Sequence, residues 1–450
     1  MSNKYLLERS LKAVWHPCTQ MKRHEMLPLI PISRGKGVWL YDFDGKRYLD
    51  AISSWWVNLF GHANPRINAA IHDQLDRLEH VMLAGFTHEP VVELSERLGK
   101  LAPGKLGHCF YGSDGASAIE IALKMSFHYW HNCGHPGKTN FVSLQNSYHG
   151  ETLGALSVTD VALFRDTYAP LLRHSATVAT PDYRYALPGE SQQDCALRAA
   201  AALESHLAQH HAATAALIVE PLVQGAAGMG MYHPDYLKQA RAICDKYQVH
   251  LIADEIAVGF GRTGTLFACE QADIAPDFLC LSKGLSGGYL PLSVVMTTAA
   301  VYQAFYHDRT ARGFLHSHSY TGNPLACRAA LATLDIFEQD HIIEANRAKA
   351  SYLNRAALPL ASHPRVKNFR NCGMIWAFEV ETSDPADSTT FARKFFQAAL
   401  SQELLLRPIV NQLGNTIYFM PPYVINEQEM DMLVAGTLRA LESVLGSDRL

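Results

Sequence analysis

The sequence predicts an α/β fold: a large domain whose mostly parallel sheet is covered by helices, plus a smaller α+β lobe drawn from both termini. Three observations lead there. Short apolar β-rich runs alternate with helical patterns from about residue 108 to 300. Near residue 360 that rhythm gives way to strand–turn–strand patterning. The first 60 residues carry a hairpin signal of the same kind.

In chain order, MSNKYLLERSLKAVWHP reads as an amphipathic helix and lacks the apolar core of a secretion signal. In VWLYDFDGKRYLDAISS (38–54), the DFDG turn joins two short strands. HCFYG (108–112), TNFVSL (139–144), ATVAT (176–180), AALIVE (215–220), VHLIAD (249–254), DFLCL (277–281) and LSVVMTT (292–298) read as strands. Helical patterns at 116–132, 192–210 and 234–247 lie between them, as a parallel sheet requires. A helix is expected from Asn323-Pro324 to Gln339, and another over 341–356. Then come VKNFRNCGMIWAFEVET (366–382), a helix at 385–403, LLLRPIV and TIYFMPPYVI. With no low-complexity linker and no internal repeat, the expected division is 1–60 for the N-terminal part of the small lobe, 61–340 for the large domain and 341–450 for the C-terminal small domain.

Composition narrows the function classes. The 450 residues are 48% hydrophobic and 18% charged, with a net charge of -4 and no long acidic or basic block. That argues against nucleic-acid and membrane-surface partners. The most apolar stretch, ATAALIVEPLV (213–223), is too short to span a bilayer and is broken by Glu220 and Pro221. Nine cysteines are scattered without a CxxC pair, which argues against a disulfide framework or zinc site and fits a reducing cytoplasm. Of the 22 histidines, the HSH at 316–318 has no third ligand at a recognisable spacing, so no metal is expected.

The chemistry centres on LIADEIAVGFGRTG (251–264) and LCLSKGLSGGYLPLS (279–293). Asp254 closes one apolar strand and Lys283 the next, and each is costly there without a partner. Pyridoxal 5'-phosphate uses both: its aldehyde condenses with a lysine amine, and its pyridine nitrogen pairs with a carboxylate. A lysine that also moves protons needs a pKa below its usual ~10.4, which burial supplies. GSDGASAIEIALKM (112–125) is a strand end, a glycine turn and a helix start, so Gly115, Ala116 and Ser117 would cup a phosphate. Any β-turn-α junction looks similar. In HSHSYTGNP (316–324), Ser319 and Thr321 offer further hydroxyls. Tyr148, in NSYHGET (146–152), either stacks on the cofactor ring or caps the core. GFGRTG lacks the GxGxxG spacing of a dinucleotide fold.

GSDGASAIEIALKM, NSYHGET, VEPLVQGAAGM, ADEIAVGFGRTG, LSKGLSGGYLPLS and HSYTGNPLA together resemble, in order and over nearly the whole chain, the class III aminotransferases of pyridoxal-phosphate fold type I. The resemblance implies a homodimer with active sites at the subunit interface. Ser319, with His318, would then reach the phosphate in the neighbouring subunit; the family usually has threonine at Ser319 and at Val258.

VWHPCTQM (14–21), SSWWVNLFGH (53–62) and RPIVNQLGNTIYFMPPYVI (407–425) resemble the adenosylmethionine–8-amino-7-oxononanoate aminotransferase branch, which works in biotin biosynthesis. That resemblance implies transamination of 8-amino-7-oxononanoate to 7,8-diaminononanoate with S-adenosyl-L-methionine as donor. Trp55 would wall the apolar chain, Arg407 would fork onto the carboxylate, and Ser317 and Tyr148 would line the substrate site. A core aromatic is the other reading of Trp55, and a structural ion pair that of Arg407. Ornithine- and GABA-type relatives place an arginine-pairing glutamate after the VQG-like glycine; here Ala226 stands instead. The branch typically has tyrosine after WHP, where this chain has Cys18, which leaves lysine open as an alternative donor. Rival readings are another ω-aminotransferase using a diamine, lysine or β-alanine, an aminomutase or decarboxylase on the same scaffold, and a non-enzymatic binding protein.

Overall fold

A computed structural model describes residues 1–173, 175–382 and 388–446, without the Ser388 side chain. It divides into two compact units: Arg66–Asn346, and Met1–Pro65 with Arg347–Leu450.

The Arg66–Asn346 unit is built on a seven-stranded sheet. Its spatial order is His108–Gly112, Ser293–Thr297, Phe278–Leu281, His250–Asp254, Thr214–Val219, Asn140–Leu144 and Ala176–Val178. Four of these strands are buried throughout, as strands covered on both faces must be. Ser293–Thr297 alone runs antiparallel to its neighbours. The reason lies in the connection: residues 282–292 hold a 3-10 turn but no crossover helix, and a parallel return usually needs one. The helix Gly115–Asn132 lays Ile119, Ala122 and Leu123 into a core with Ile218, Ile252, Phe278 and Val295. The carboxyl ends of the parallel strands therefore share one edge of the sheet, where open α/β sheets place ligands.

The other unit contains two four-stranded sheets. Ile32–Lys36, Trp39–Asp42 and Arg47–Asp50 form an antiparallel meander, which Leu404–Leu405 extends in parallel. The second sheet orders Val366–Cys372, Ile375–Val380, Gly414–Phe419 and Ile409–Asn411. Helices Ser388–Ser401 and Glu427–Gly446 belong to this unit; the first three residues expected for a helix at 385–403 lie outside the described residues. The N-terminal helix Asn3–Ala13 is capped by Ser2 and tied to the hairpin by Asn3, which donates to Asp42 at 3.0 Å and accepts from the Phe43 amide at 2.9 Å.

Inside the second sheet, Arg370 pairs with Glu379 through two hydrogen bonds of 2.9 and 2.7 Å, both side chains being buried. Arg370→Met leaves a buried carboxylate without its cation, so urea denaturation is expected to lose roughly 3–5 kcal/mol. Arg370→Met/Glu379→Met should lose markedly less; equal losses would show that the ion pair is not what makes the single change costly.

Candidate active site

Two adjacent strands of the large sheet end in acids. Ala253 is registered with Val219, and the next residues are Asp254 and Glu220. Both are buried. Asp254 is supplied with donors: Oδ2 lies 2.7 Å from His149 Nδ1, and Oδ1 accepts from the Ile256 amide at 3.1 Å. Glu220 accepts the Tyr148 amide at 3.0 Å and the Gly225 amide at 2.9 Å. Burial nevertheless pushes the Glu220 carboxyl up to about 7; Asp254 adds to the rise, while His149 and the two amides oppose it.

Lys283 follows the neighbouring strand, which registers Cys280 against Asp254. It starts a 3-10 turn with φ of 44°, a left-handed conformation uncommon for a side-chain-bearing residue and often found at sites under functional constraint. Part of the side chain remains accessible, yet loss of water around the amine lowers its pKa to about 8. Asp254 and Glu220 pull in the opposite direction, and Arg262 adds to the lowering. An amine of that pKa has a far larger neutral, nucleophilic fraction near physiological pH than an ordinary lysine.

The loop after Asn140–Leu144 closes over this edge. Gly150 has φ of 122°, and a Cβ there would lie 2.6 Å from that of Ala116, so only glycine lets the loop meet the helix start so closely. Gly115 and Ala116 open that helix; the Ser117 amide is already engaged at 2.9 Å by the capping carboxylate of Asp114. The expected anion cup of Gly115, Ala116 and Ser117 thus lies at a helix start whose cap is Asp114. Tyr148 is half-buried; its ring packs 5.2 Å from Phe164 and its hydroxyl donates to Glu151 at 2.9 Å. His318 Nδ1 lies 3.0 Å from Ser113 Oγ, beside the same helix start, whereas Ser317 and Ser319 are exposed. The Thr321 hydroxyl is used within its own loop, donating to the His318 carbonyl at 2.7 Å.

In the other unit, Trp55, Arg407 and Cys18 come together. The Arg407 guanidinium sits 5.4 Å from the Trp55 ring centre, and its Nη2 donates to the Cys18 carbonyl at 3.3 Å. Trp55 is 49% exposed and Trp56 only 7%, so one indole of the pair serves the core and the other does not. Arg407 and Cys18 are also exposed.

Sequence reasoning paired Asp254 with Lys283 but missed Glu220, named only as an interruption of an apolar run, and gave His149 no role. A signal existed for both. Glu220 closes an apolar strand as Asp254 does, and His149 stands in the loop after a third such strand. Among the described residues no cluster of metal-ligating side chains occurs, and no helix is long and apolar enough to cross a membrane.

Comparison with known proteins adds the relatives. The Aminotransferase class-III family matches residues 19–441. The chain is similar to the adenosylmethionine-8-amino-7-oxononanoate aminotransferase of Helicobacter pylori, 47% identical over 442 residues that cover 96% of this chain and 97% of that one. The crystal structure of the Methanocaldococcus jannaschii protein of the same name superposes with a TM-score of 0.91 at 34% identity, covering 98% and 99% of the two chains. An ω-transaminase from Pseudomonas jessenii, solved in complex with PMP, gives a TM-score of 0.92 at 30% identity over 98% and 99%.

The lowered lysine has a direct readout in the cofactor-free protein. Borohydride trapping of Lys283 on a small aldehyde should rise with a midpoint near pH 8, because below it the amine is protonated and above it neutral. Glu220→Gln removes an anion that favours the proton, so the midpoint should move lower. A midpoint near the ordinary 10.5 would show that the amine is not desolvated.

Proposed function

This chain belongs to the class III aminotransferases, and from that premise we propose that it aminates 8-amino-7-oxononanoate to 7,8-diaminononanoate in biotin biosynthesis, with S-adenosyl-L-methionine as amino donor. The observation that carries the reaction class is the low-pKa amine of Lys283 beside two buried acids at one sheet edge. The substrates rest on the name shared by relatives at 33–47% identity along nearly the full chain.

The residues at that edge fit pyridoxal 5'-phosphate. Lys283 would supply the amine, buried Asp254 a carboxylate for the ring nitrogen, and Gly115, Ala116 and Ser117 a helix start for the phosphate. When bound, the cofactor supplies an electron sink for the carbon that gains or loses the amino group. The protein contributes the rest. Lys283, neutral above about pH 8, takes and returns the proton at that carbon. His149 Nδ1 fixes one oxygen of Asp254; Tyr148, whose amide rests on Glu220, would stack on the cofactor and touch substrate.

Arg407 takes the carboxylate of the keto acid and Trp55 its apolar chain; their mutual contact and exposure support this pairing. Ser317 and Cys18 complete the substrate contacts, and Ala226 leaves Arg407 without the competing glutamate of ornithine- and GABA-type relatives. We further propose a homodimer in which Ser319 and His318 serve the partner's phosphate. Exposed Ser319 and the exposed apolar side chains of Phe86, Leu315 and Tyr320 support it. Nine free cysteines support a cytoplasmic location.

The test is amination of 8-amino-7-oxononanoate with adenosylmethionine, lysine, glutamate or alanine as donor. Product with adenosylmethionine is expected; no product with any donor overturns the assignment. Lys283→Ala should lose at least about a hundredfold in rate together with the visible absorption of the bound cofactor. Arg407→Ala should raise KM for the keto acid roughly ten- to a hundredfold, the value of a charge-assisted contact, with little change in kcat. An unchanged KM would remove Arg407 from the carboxylate site.

A further inference from the structure

Ser53, Ser54, Trp55 and Trp56 have φ of 50°, 47°, 71° and 74°. Four consecutive residues with side chains in the left-handed region, two of them indoles, form a turn that L-residues disfavour at every position. Such backbone persists only where its surroundings over-determine it. Here they do. The Ser54 amide donates to Asp50 Oδ1 at 2.9 Å and its hydroxyl to Asp50 Oδ2 at 2.7 Å. Ser53 Oγ donates to the Met420 carbonyl at 2.7 Å, and Trp56 Nε1 to the Tyr418 hydroxyl at 3.1 Å.

Asp50 is the hub of this arrangement. It is fully buried, and besides Ser54 it meets His62 Nε2 at 3.0 Å. That contact places the ring proton on Nε2 and leaves Nδ1 to accept from Asn58 Nδ2 at 3.2 Å. The turn has one evident consequence. It sends Trp56 inward, 6.2 Å from the Tyr418 ring, and Trp55 outward against the Arg407 guanidinium. Tyr418 feels both charges: burial pushes its phenol up to about 12, Arg407 opposes the rise and Asp50 reinforces it. Neither of the exposed side chains needs this turn for folding, since neither Trp55 nor Arg407 lies in the core.

We propose that Asp50 is a positioning residue: it holds the left-handed Ser53–Trp56 turn, which sets Trp55 against Arg407 and thereby the preference for a substrate bearing a carboxylate. The inference rests on the reading of Arg407 as the carboxylate-binding residue.

The readout is the ratio of kcat/KM for 8-amino-7-oxononanoate to that for its methyl ester in the holoenzyme. A merely structural defect lowers both values in proportion and leaves the ratio alone. Asp50→Asn is expected to cut the ratio about tenfold, and Ser54→Ala, which removes only the hydroxyl bond, about threefold. Asp50→Asn/Ser54→Gly should recover part of the loss, because glycine adopts left-handed φ without penalty. If Asp50→Asn does not fold, Ser54→Ala decides by the same ratio. An unchanged ratio in these variants, or no recovery with glycine, overturns the proposal while a collapsed ratio in Arg407→Ala keeps the reading of Arg407. An unchanged ratio in Arg407→Ala overturns that reading and the positioning role with it.

Discussion

The active edge of the large sheet depends on keeping a carboxylate, Asp254, at the end of a strand that is buried along its length. An ion in that position costs several kcal/mol unless donors replace its water. His149 provides the main replacement at 2.7 Å, and holding His149 in turn dictates the loop around it. Its amide donates to Thr159 Oγ1 at 3.0 Å, and Gly150 must follow in a conformation that lets the loop touch Ala116. The residue before His149 is thereby fixed as well. Tyr148 is presented at the edge because its own amide is bound by Glu220 at 3.0 Å. Two buried acids on neighbouring strand ends thus hold this loop, Asp254 through the histidine and Glu220 through the tyrosine amide.

Two acids on neighbouring strand ends cannot be equally comfortable without water. Glu220 is the one that yields: desolvation, with Asp254 beside it, raises its pKa to about 7. Lys283 comes down to about 8 for the same underlying reason, since burial penalises a charged amine as it does a charged carboxyl. Burial therefore moves two groups of opposite type toward neutrality from opposite sides. Both shifts arise chiefly from exclusion of water rather than from any single contact.

Most of the large unit was legible because its signals are local. Apolar runs of strand length separated by helix periodicity give the elements, and the expected strands at 108–112 and helix at 192–210 coincide with those observed. The reversed direction of Ser293–Thr297 was not read, although the short connection before it carries that information. Asp254 and Lys283 stood out because charged groups at the ends of apolar runs need explanation. Glu220 had the same signature but was hidden by the proline after it, which reads as a strand stop. His149 was illegible for a different reason: its partner is 105 residues away in sequence, and no spacing rule connects them.

The Trp55 region shows a further limit, since residue pattern says nothing about the sign of φ. SSWW carries no glycine, yet it is left-handed throughout, and only long-range anchors such as Met420 and Tyr418 make that tolerable. Cys18 belongs to the same class, with φ of 51° and a carbonyl that accepts from Arg407. This bears on position 18, where the resemblance leads one to expect tyrosine rather than cysteine. The bond to Arg407 comes from the backbone, so it is independent of which side chain residue 18 bears. What the thiol cannot supply is an aromatic wall and a phenolic hydroxyl. A change of side chain there therefore spares the hydrogen bond that anchors Arg407. Position 18 thus carries two separable features: a backbone carbonyl that anchors Arg407, and an exposed side chain that takes no part in that bond.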